Sequence, residues 1–299
     1  VLELVRAATE YLGRHGVESP RLDAEVLLAD LLKVRRLDLY VRFDMPLDQA
    51  AKDAYRTRLV ERARGRPVSR IVGYREFYGR RVEVEASVLS PRPETELLAD
   101  EGLAFLRKRR ASDPDRRLRI LEIGVGSGAL LATLAAEFPA ADYCGVDLSP
   151  EAVAVARRNC VLLAPETPCD LRVGDLYAPF RGAAPFDLIV SNPPYVSDAE
   201  WAELPREVRD YDPALALRSG ADPVRFFARL LDESAGMLAE NGLLAVEGGA
   251  GLPEFLARRT GPSAPWSGRL AKDLAGLPRV LVFEPARPAA DQPAAGAGE

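Results

Sequence analysis

The chain reads as an α/β protein, a doubly wound and mainly parallel Rossmann-like sheet preceded by a small all-helical domain and joined to it by a β-hairpin. Three observations predict this. From Arg119 onward, short apolar and β-branched runs alternate with helical stretches, which is the pattern of βαβ units. The first of those runs ends in Gly124-Val125-Gly126-Ser127-Gly128, a glycine loop at a strand-to-helix turn. Before about Arg66 the apolar residues recur only at helical spacing.

In chain order, Leu2, Val5 and Ala8 line one helix and Leu22, Val26, Leu28, Leu31 and Leu32 a second, with breaks at Pro20 and Pro46. These place a helical domain at 1–75. Residues 77–84 alternate in the manner of strands with Gly79 at the turn, so 76–89 is expected to form the connecting hairpin. The α/β domain is assigned to 90–285. Its strands are predicted at 119–123, 143–146, 171–173, 186–191, 242–247 and 280–283, with helices from 129, from 150 and over 225–238. The Pro-, Ala- and Gly-rich tail, 286–299, is expected to be disordered because it lacks apolar residues for a core.

Composition narrows the class. Of 299 residues, 47% are hydrophobic and 28% charged, which suits a globular chain. No stretch approaches 18 consecutive apolar residues and the first residues carry no basic-then-apolar leader pattern, so a cytoplasmic protein with no membrane partner is expected. Cys144, Cys160 and Cys169 form no CxxC pair and read as reduced, buried thiols. The single histidine, His15, lies far from any motif, which argues against a histidine-ligated metal and against a Ser-His-Asp triad; no metal is expected.

Net charge is −5, yet nine arginines fall between Tyr55 and Arg81. Only four of the 40 basic residues are lysine, so coding bias accounts for the arginine richness and a solvated or partner-facing surface is preferred to a nucleic-acid groove.

The sharpest signal is Asn192-Pro193-Pro194-Tyr195, directly after the apolar run 186–191. Two prolines cannot continue a strand ladder, so the chain must turn at a strand's carboxyl end, where open α/β sheets place their ligand crevices. The Asn192 side chain and the backbone carbonyl of Pro193 can accept both hydrogens of a planar –NH2 group, with Tyr195 flat against it and Pro194 stiffening the kink. A strand-ending turn carrying a surface tyrosine would have the same sequence.

Other strand ends bear ligand-binding residue types. The loop 124–128 with Ala129 satisfies the loose dinucleotide pattern, and Asp147 is placed for ribose hydroxyls. Three features favour S-adenosylmethionine over NAD. Glu122 precedes the GxGxG glycines as a carboxylate suited to an ammonium group; Asp175 could accept from an adenine amine while Leu176 packs on the ring; and the fourth strand ends in NPPY. The predicted cofactor site is therefore Glu122, Gly124, Val125, Gly126, Ser127, Gly128, Asp147, Asp175, Leu176 and Asn192. The predicted substrate site is Asn192, Pro193, Pro194 and Tyr195, with Asn192, Pro193 and Tyr195 catalytic.

These residues, together with Pro20-Arg21-Leu22-Asp23-Ala24-Glu25, Glu76-Phe77-Tyr78-Gly79, Pro91-Arg92-Pro93-Glu94-Thr95-Glu96 and Lys272-Asp273-Leu274-Ala275-Gly276, resemble the PrmC/HemK family of release factor glutamine methyltransferases over nearly the whole chain to about Val282. The resemblance implies a seven-stranded class I methyltransferase sheet, S-adenosylmethionine as methyl donor, and methylation of the amide nitrogen (N5) of the glutamine in the GGQ motif of peptide-chain release factors, which modulates translation termination. It also implies that the helical domain helps dock the release factor. The PRPETE segment favours that substrate over a ribosomal protein. Departures are Glu122 and Val125 where the family usually has Asp and Thr, Pro223-Val224 after Asp222 where Gly-Leu is usual, and no glutamine soon after Glu247. Two competing readings remain at this stage, an N6-adenine nucleic-acid methyltransferase using the same NPPY and a non-catalytic protein-binding module. The acidic charge and lack of a base-reading module disfavour nucleic acid as direct substrate, and the intact loop and NPPY disfavour the module.

Overall fold

The computed structural model describes residues 1–41, 44–249, 251–261 and 263–286; from residue 287 the predicted tail lies outside the described residues. The chain divides into two compact units. One comprises Val1–Arg75, Glu83–Ser90 and Glu203–Pro213, the other Glu76–Val82, Pro91–Ala202 and Ala214–Glu299.

The first unit is helical. Helices α1 (Leu2–Arg14), α2 (Pro20–Leu32) and α3 (Gln49–Ala63) carry its core. Val5, Ala8 and Leu12, spaced to share one face of α1, meet Ala24, Leu27 and Leu28 of α2 and Tyr55 and Leu59 of α3. Pro20 opens α2, where its missing N–H costs nothing, and Asp48 caps α3 by accepting from Ala51 N. His15 is exposed at the end of α1.

The arginine-rich run departs from expectation here. Arg58 pairs with Asp30 at 2.8 Å, Arg62 with Asp23 at 2.7 Å and with Glu207 at 2.9 Å, and Arg70 with Asp212 at 2.8 Å. Arg62 and Arg70 are buried. A guanidinium taken out of water must be paired, and carboxylates scattered from residue 23 to 212 supply the partners. These three arginines are internal struts rather than partner-facing surface.

Strands β1 (Tyr74–Phe77) and β2 (Arg80–Glu83) form the expected hairpin, turning through Tyr78 and Gly79, both at positive φ. Phe77 and Val82 of the hairpin pack on Ala129.

The second unit is built on a seven-stranded sheet. Its strands are β3 (Leu118–Ile123), β4 (Ala141–Asp147), β5 (Cys169–Val173), β6 (Phe186–Ser191), β7 (Leu238–Glu247), β8 (Trp266–Lys272) and β9 (Pro278–Pro285). Their order is β8-β9-β7-β6-β3-β4-β5, parallel throughout except for β9, which runs antiparallel to both neighbours. The predicted seven-stranded, mainly parallel class I methyltransferase sheet is therefore present. Strand β8 had no sequence assignment of its own. It is an edge strand with polar and charged residues, and it is set by the turn in which Asp273 accepts from the amides of Ala275 and Leu277, both at 2.9 Å.

Strand parity divides the core. Leu118 and Ile120 of β3 face a cluster with Leu98, Leu103 and Leu106 of helix α4 (Thr95–Ser112), Leu130, Leu131 and Leu134 of α5 (Ala129–Glu137) and Val153 and Ala156 of α6 (Pro150–Leu163). Leu121 and Ile123 face the other cluster, with Phe227, Leu230 and Leu231 of α7 (Pro223–Ser234) and Leu252 and Phe255 of α8 (Leu252–Arg259). Cys144 and Cys160 are buried, Cys169 is half-buried, and all three are free. Among the described residues no helix is long and apolar enough to cross a membrane.

Candidate functional site

One row of the sheet organises the site. Val146 of β4 pairs with Ile123 of β3, Ile123 with Ser191 of β6, and Ser191 with Val246 of β7. The residues one step further are Asp147, Gly124, Asn192 and Glu247, so four strands release their chemistry at one level on the carboxyl edge. The chain winds away from β3 in opposite directions at β4 and β6, the switch point where such sheets bind ligands.

The loop 124–128 is held by backbone. Gly124 N and Val125 N both donate to Val146 O, at 2.8 and 3.0 Å, and Gly126 N donates to Asp147 Oδ2 at 2.9 Å. Gly124, Gly126 and Gly128 all have positive φ. A Cβ at Gly124 or Gly126 would meet nothing within 4 Å, leaving the loop's outer face open, whereas at Gly128 it would lie 2.8 Å from the Ala156 Cα of α6. Val125 turns its side chain into the core and offers a ligand only backbone. Ser127 is buried, and its carbonyl accepts from Nδ2 of the fully buried Asn159 at 2.8 Å.

The flanking acids differ in setting. Glu122 shares the parity of Leu118 and Ile120, so it points under α5, where its Oε2 accepts from Leu131 N at 2.9 Å; burial pushes its carboxyl well above the ordinary range. What the structure shows of Glu122 is a contact that holds the first turn of α5. Asp147 is half-buried and accepts from Gly126 N and Ser149 N, while Ser149 caps α6 by accepting from Ala152 N. Asp175 is exposed and pairs with Arg229 of α7 at 2.9 Å. Leu176 adopts positive φ and its side chain belongs to the core beneath the sheet.

On β6, Ser191 donates through its hydroxyl to Ile123 O at 2.8 Å, locking the two central strand ends together. Asn192 is half-buried, Pro193 buried, and Pro194 and Tyr195 half-buried. The Asn192 Nδ2 donates to Thr95 Oγ1 at 3.0 Å. Burial pushes the Tyr195 hydroxyl up to about 12, with Glu247 adding to the effect, so it is neutral at physiological pH. Glu247 is 1% exposed, and burial pushes its carboxyl up to about 7, against Thr95 and Asn192, which favour its charged form.

The structure thus brings 124–128, Asp147 and 192–195 to one edge. It adds Thr95, Asn159, Ser191, Arg229 and Glu247, none of which was singled out as a site residue. Glu247 was findable, since parity along β7 with Leu243 and Ala245 turns it toward α4.

Residues 3–73 match the family model described as the PrmC N-terminal domain, and residues 120–211 match one described as a methyltransferase domain. The release factor glutamine methyltransferase of Rhodopirellula baltica is 38% identical, over 96% of this chain and 96% of its own. The chain belongs to the release factor glutamine methyltransferase family. Members from Geobacter sulfurreducens (38% identical, 91% of this chain and 92% of that one) and Chlorobaculum tepidum (37%, 83% and 84%) extend the match. Identity on this scale runs through both units, so family membership covers the helical part as well as the sheet.

Proposed function

We propose that this chain transfers a methyl group from S-adenosylmethionine to the N5 amide nitrogen of the GGQ glutamine in peptide-chain release factors. The single observation that carries the reading is similarity over 96% of the chain to an enzyme of that name, on a chain whose β6 ends in Asn-Pro-Pro-Tyr. The loop 124–128, open over Gly124 and Gly126 and edged by the Asp147 carboxylate, fits an adenosine-bearing methyl donor, with Asp175 at the adenine end. That cofactor, when bound, supplies an electrophilic methyl on a sulfonium. A cytoplasmic location goes with a substrate that works on ribosomes.

The residues must compensate for a weak nucleophile, because an amide lone pair is delocalised into its carbonyl. The Asn192 Oδ1 and the Pro193 carbonyl accept the two N–H bonds, orient the nitrogen, and stabilise the positive charge that develops on it. Tyr195, neutral and half-buried, lies against the amide plane and excludes water. The helical unit, matched by the PrmC N-terminal model, docks the release factor.

Incubation with labelled methyl donor and purified release factor, followed by mass spectrometry of the GGQ peptide, tests this. Label is expected on the glutamine and absent from a Gln→Ala release factor. Label elsewhere on the protein, or only on added nucleic acid, would overturn the assignment.

A further inference from the structure

Behind Asn192 lies a second layer of polar side chains. Thr95 opens α4, Asn192 follows β6 and Glu247 ends β7, and all three converge on the sheet face that α4 covers. The Asn192 Nδ2 donates to Thr95 Oγ1 at 3.0 Å, and the Glu247 carboxylate, one step past Val246 in the row where Asn192 follows Ser191, lies beside both, and they favour its charged form. An ionised carboxylate has no hydrogen to give, so beside it and the Thr95 oxygen the amide presents its NH2 end on the inner side. Turning the amide over would press its oxygen against the carboxylate. Its Oδ1 is therefore held outward.

On the reading of Asn192 as acceptor of the substrate N–H, we propose that Thr95 and Glu247 are positioning residues that anchor the Asn192 amide and present its Oδ1, enriched by the carboxylate behind it, to the methylated nitrogen. A negative charge against the NH2 end draws the amide toward its charge-separated form and strengthens the oxygen as an acceptor. That gain grows as the substrate nitrogen becomes positive, so it favours the transition state. The burial of Glu247 fits a functional demand rather than a structural one. It is 1% exposed, and its Oε2 has no hydrogen-bond partner among the described residues. A carboxylate in that setting destabilises the fold and is kept where function needs it.

The groups facing Glu247 are Glu94 and Thr95 at the start of α4, Arg279 on β9, and Asn192 and Tyr195 beyond β6; Glu94 raises its pKa and Arg279 lowers it. The relay needs the ionised form, so kcat falls as pH drops below about 7, the value to which its carboxyl is pushed.

The test measures kcat, KM, cofactor affinity by calorimetry and thermal unfolding for the full chain and for Thr95→Val, Thr95→Ser and Glu247→Gln, with release factor as substrate. Thr95→Val and Glu247→Gln are expected to lower kcat about tenfold, the effect of one lost charge-assisted bond, with KM and cofactor affinity little changed. Thr95→Ser keeps the hydroxyl and recovers most of that loss. Glu247→Gln removes the acid limb of the pH profile and melts higher than the wild type above pH 7, which a merely structural glutamate would not do. Wild-type kcat in Thr95→Val or Glu247→Gln, or losses of kcat that follow losses of melting temperature, would overturn the relay while leaving the substrate assignment standing. A wild-type enzyme that leaves the GGQ glutamine unmethylated would overturn both.

Discussion

Residues 124–128 and 192–195 leave neighbouring strands one step past the same row of the sheet, yet the first is held by its backbone and the second by side chains. The glycine loop is tied through amides to Val146 O and Asp147, and its shape rests on positive φ at three glycines. The Asn192 amide is bonded to Thr95, 97 residues before it, and lies beside the Glu247 carboxylate, 55 residues after it. The glycine loop carries its shape in its own glycines, while its backbone groups bond the Val146 carbonyl and the Asp147 and Asn159 side chains. A side-chain-held segment depends on the whole fold to deliver its supports.

The largest effect should come on the acceptor side. Asn192→Ala removes a transition-state acceptor and is expected to cost ~2.7–4 kcal/mol, roughly a hundredfold to a thousandfold in kcat, while S-adenosylmethionine still binds measurably by calorimetry. Near-normal methylation by this variant would remove Asn192 from the chemistry.

Gly128→Ala strikes the donor side through the fold instead. A Cβ there combines positive φ with a 2.8 Å approach to Ala156 Cα, so a loss of about 2–4 kcal/mol in denaturant unfolding is expected. A fully stable variant would show that the loop can shift, and would weaken the contrast between the two segments.

Glu247 gives the comparison a pH signature. Its carboxyl is raised in the folded state from 4.5 to about 7. The associated stability is thus fully present below about pH 4.5 and is lost as pH rises through 7, to a total of up to about 3 kcal/mol. Unfolding of the wild type and Glu247→Gln between pH 5 and 8 should diverge, with the glutamine variant gaining as pH rises. Parallel profiles would mean that the carboxylate is not desolvated.

The smallest effect is expected at Asp175, whose pair with Arg229 is exposed. Asp175→Asn should change stability by less than about 1 kcal/mol. Cofactor affinity should fall severalfold if the carboxylate accepts from the adenine amine; unchanged affinity would assign Asp175 to the surface alone.

Much of the α/β unit was legible because its signals are local. Strand 186–191 was read at its observed bounds, the helix starts at 129 and 150 were read from the loop before each, and the hairpin turn at Gly79 was recognised. Strand β8 was not, since Trp266–Lys272 is an edge strand whose polar residues carry no buried-strand pattern and whose order comes from pairing with β9. The arginines at 58, 62 and 70 were misjudged as surface for the same reason. Their partners at 23, 30, 207 and 212 are distant in sequence and adjacent only after folding.

The residues alone were enough for the sheet, the glycine loop and the Pro-Pro kink that ends β6, because a strand period, a positive φ and a missing N–H are properties of a few consecutive residues. They were not enough for the environment of each acid. Folding turned Glu122 inward beneath α5, left Asp175 in solvent, and buried Glu247 behind Asn192. Desolvation and charge pairing depend on what packs within a few ångströms, and strand register, not chain order, sets that.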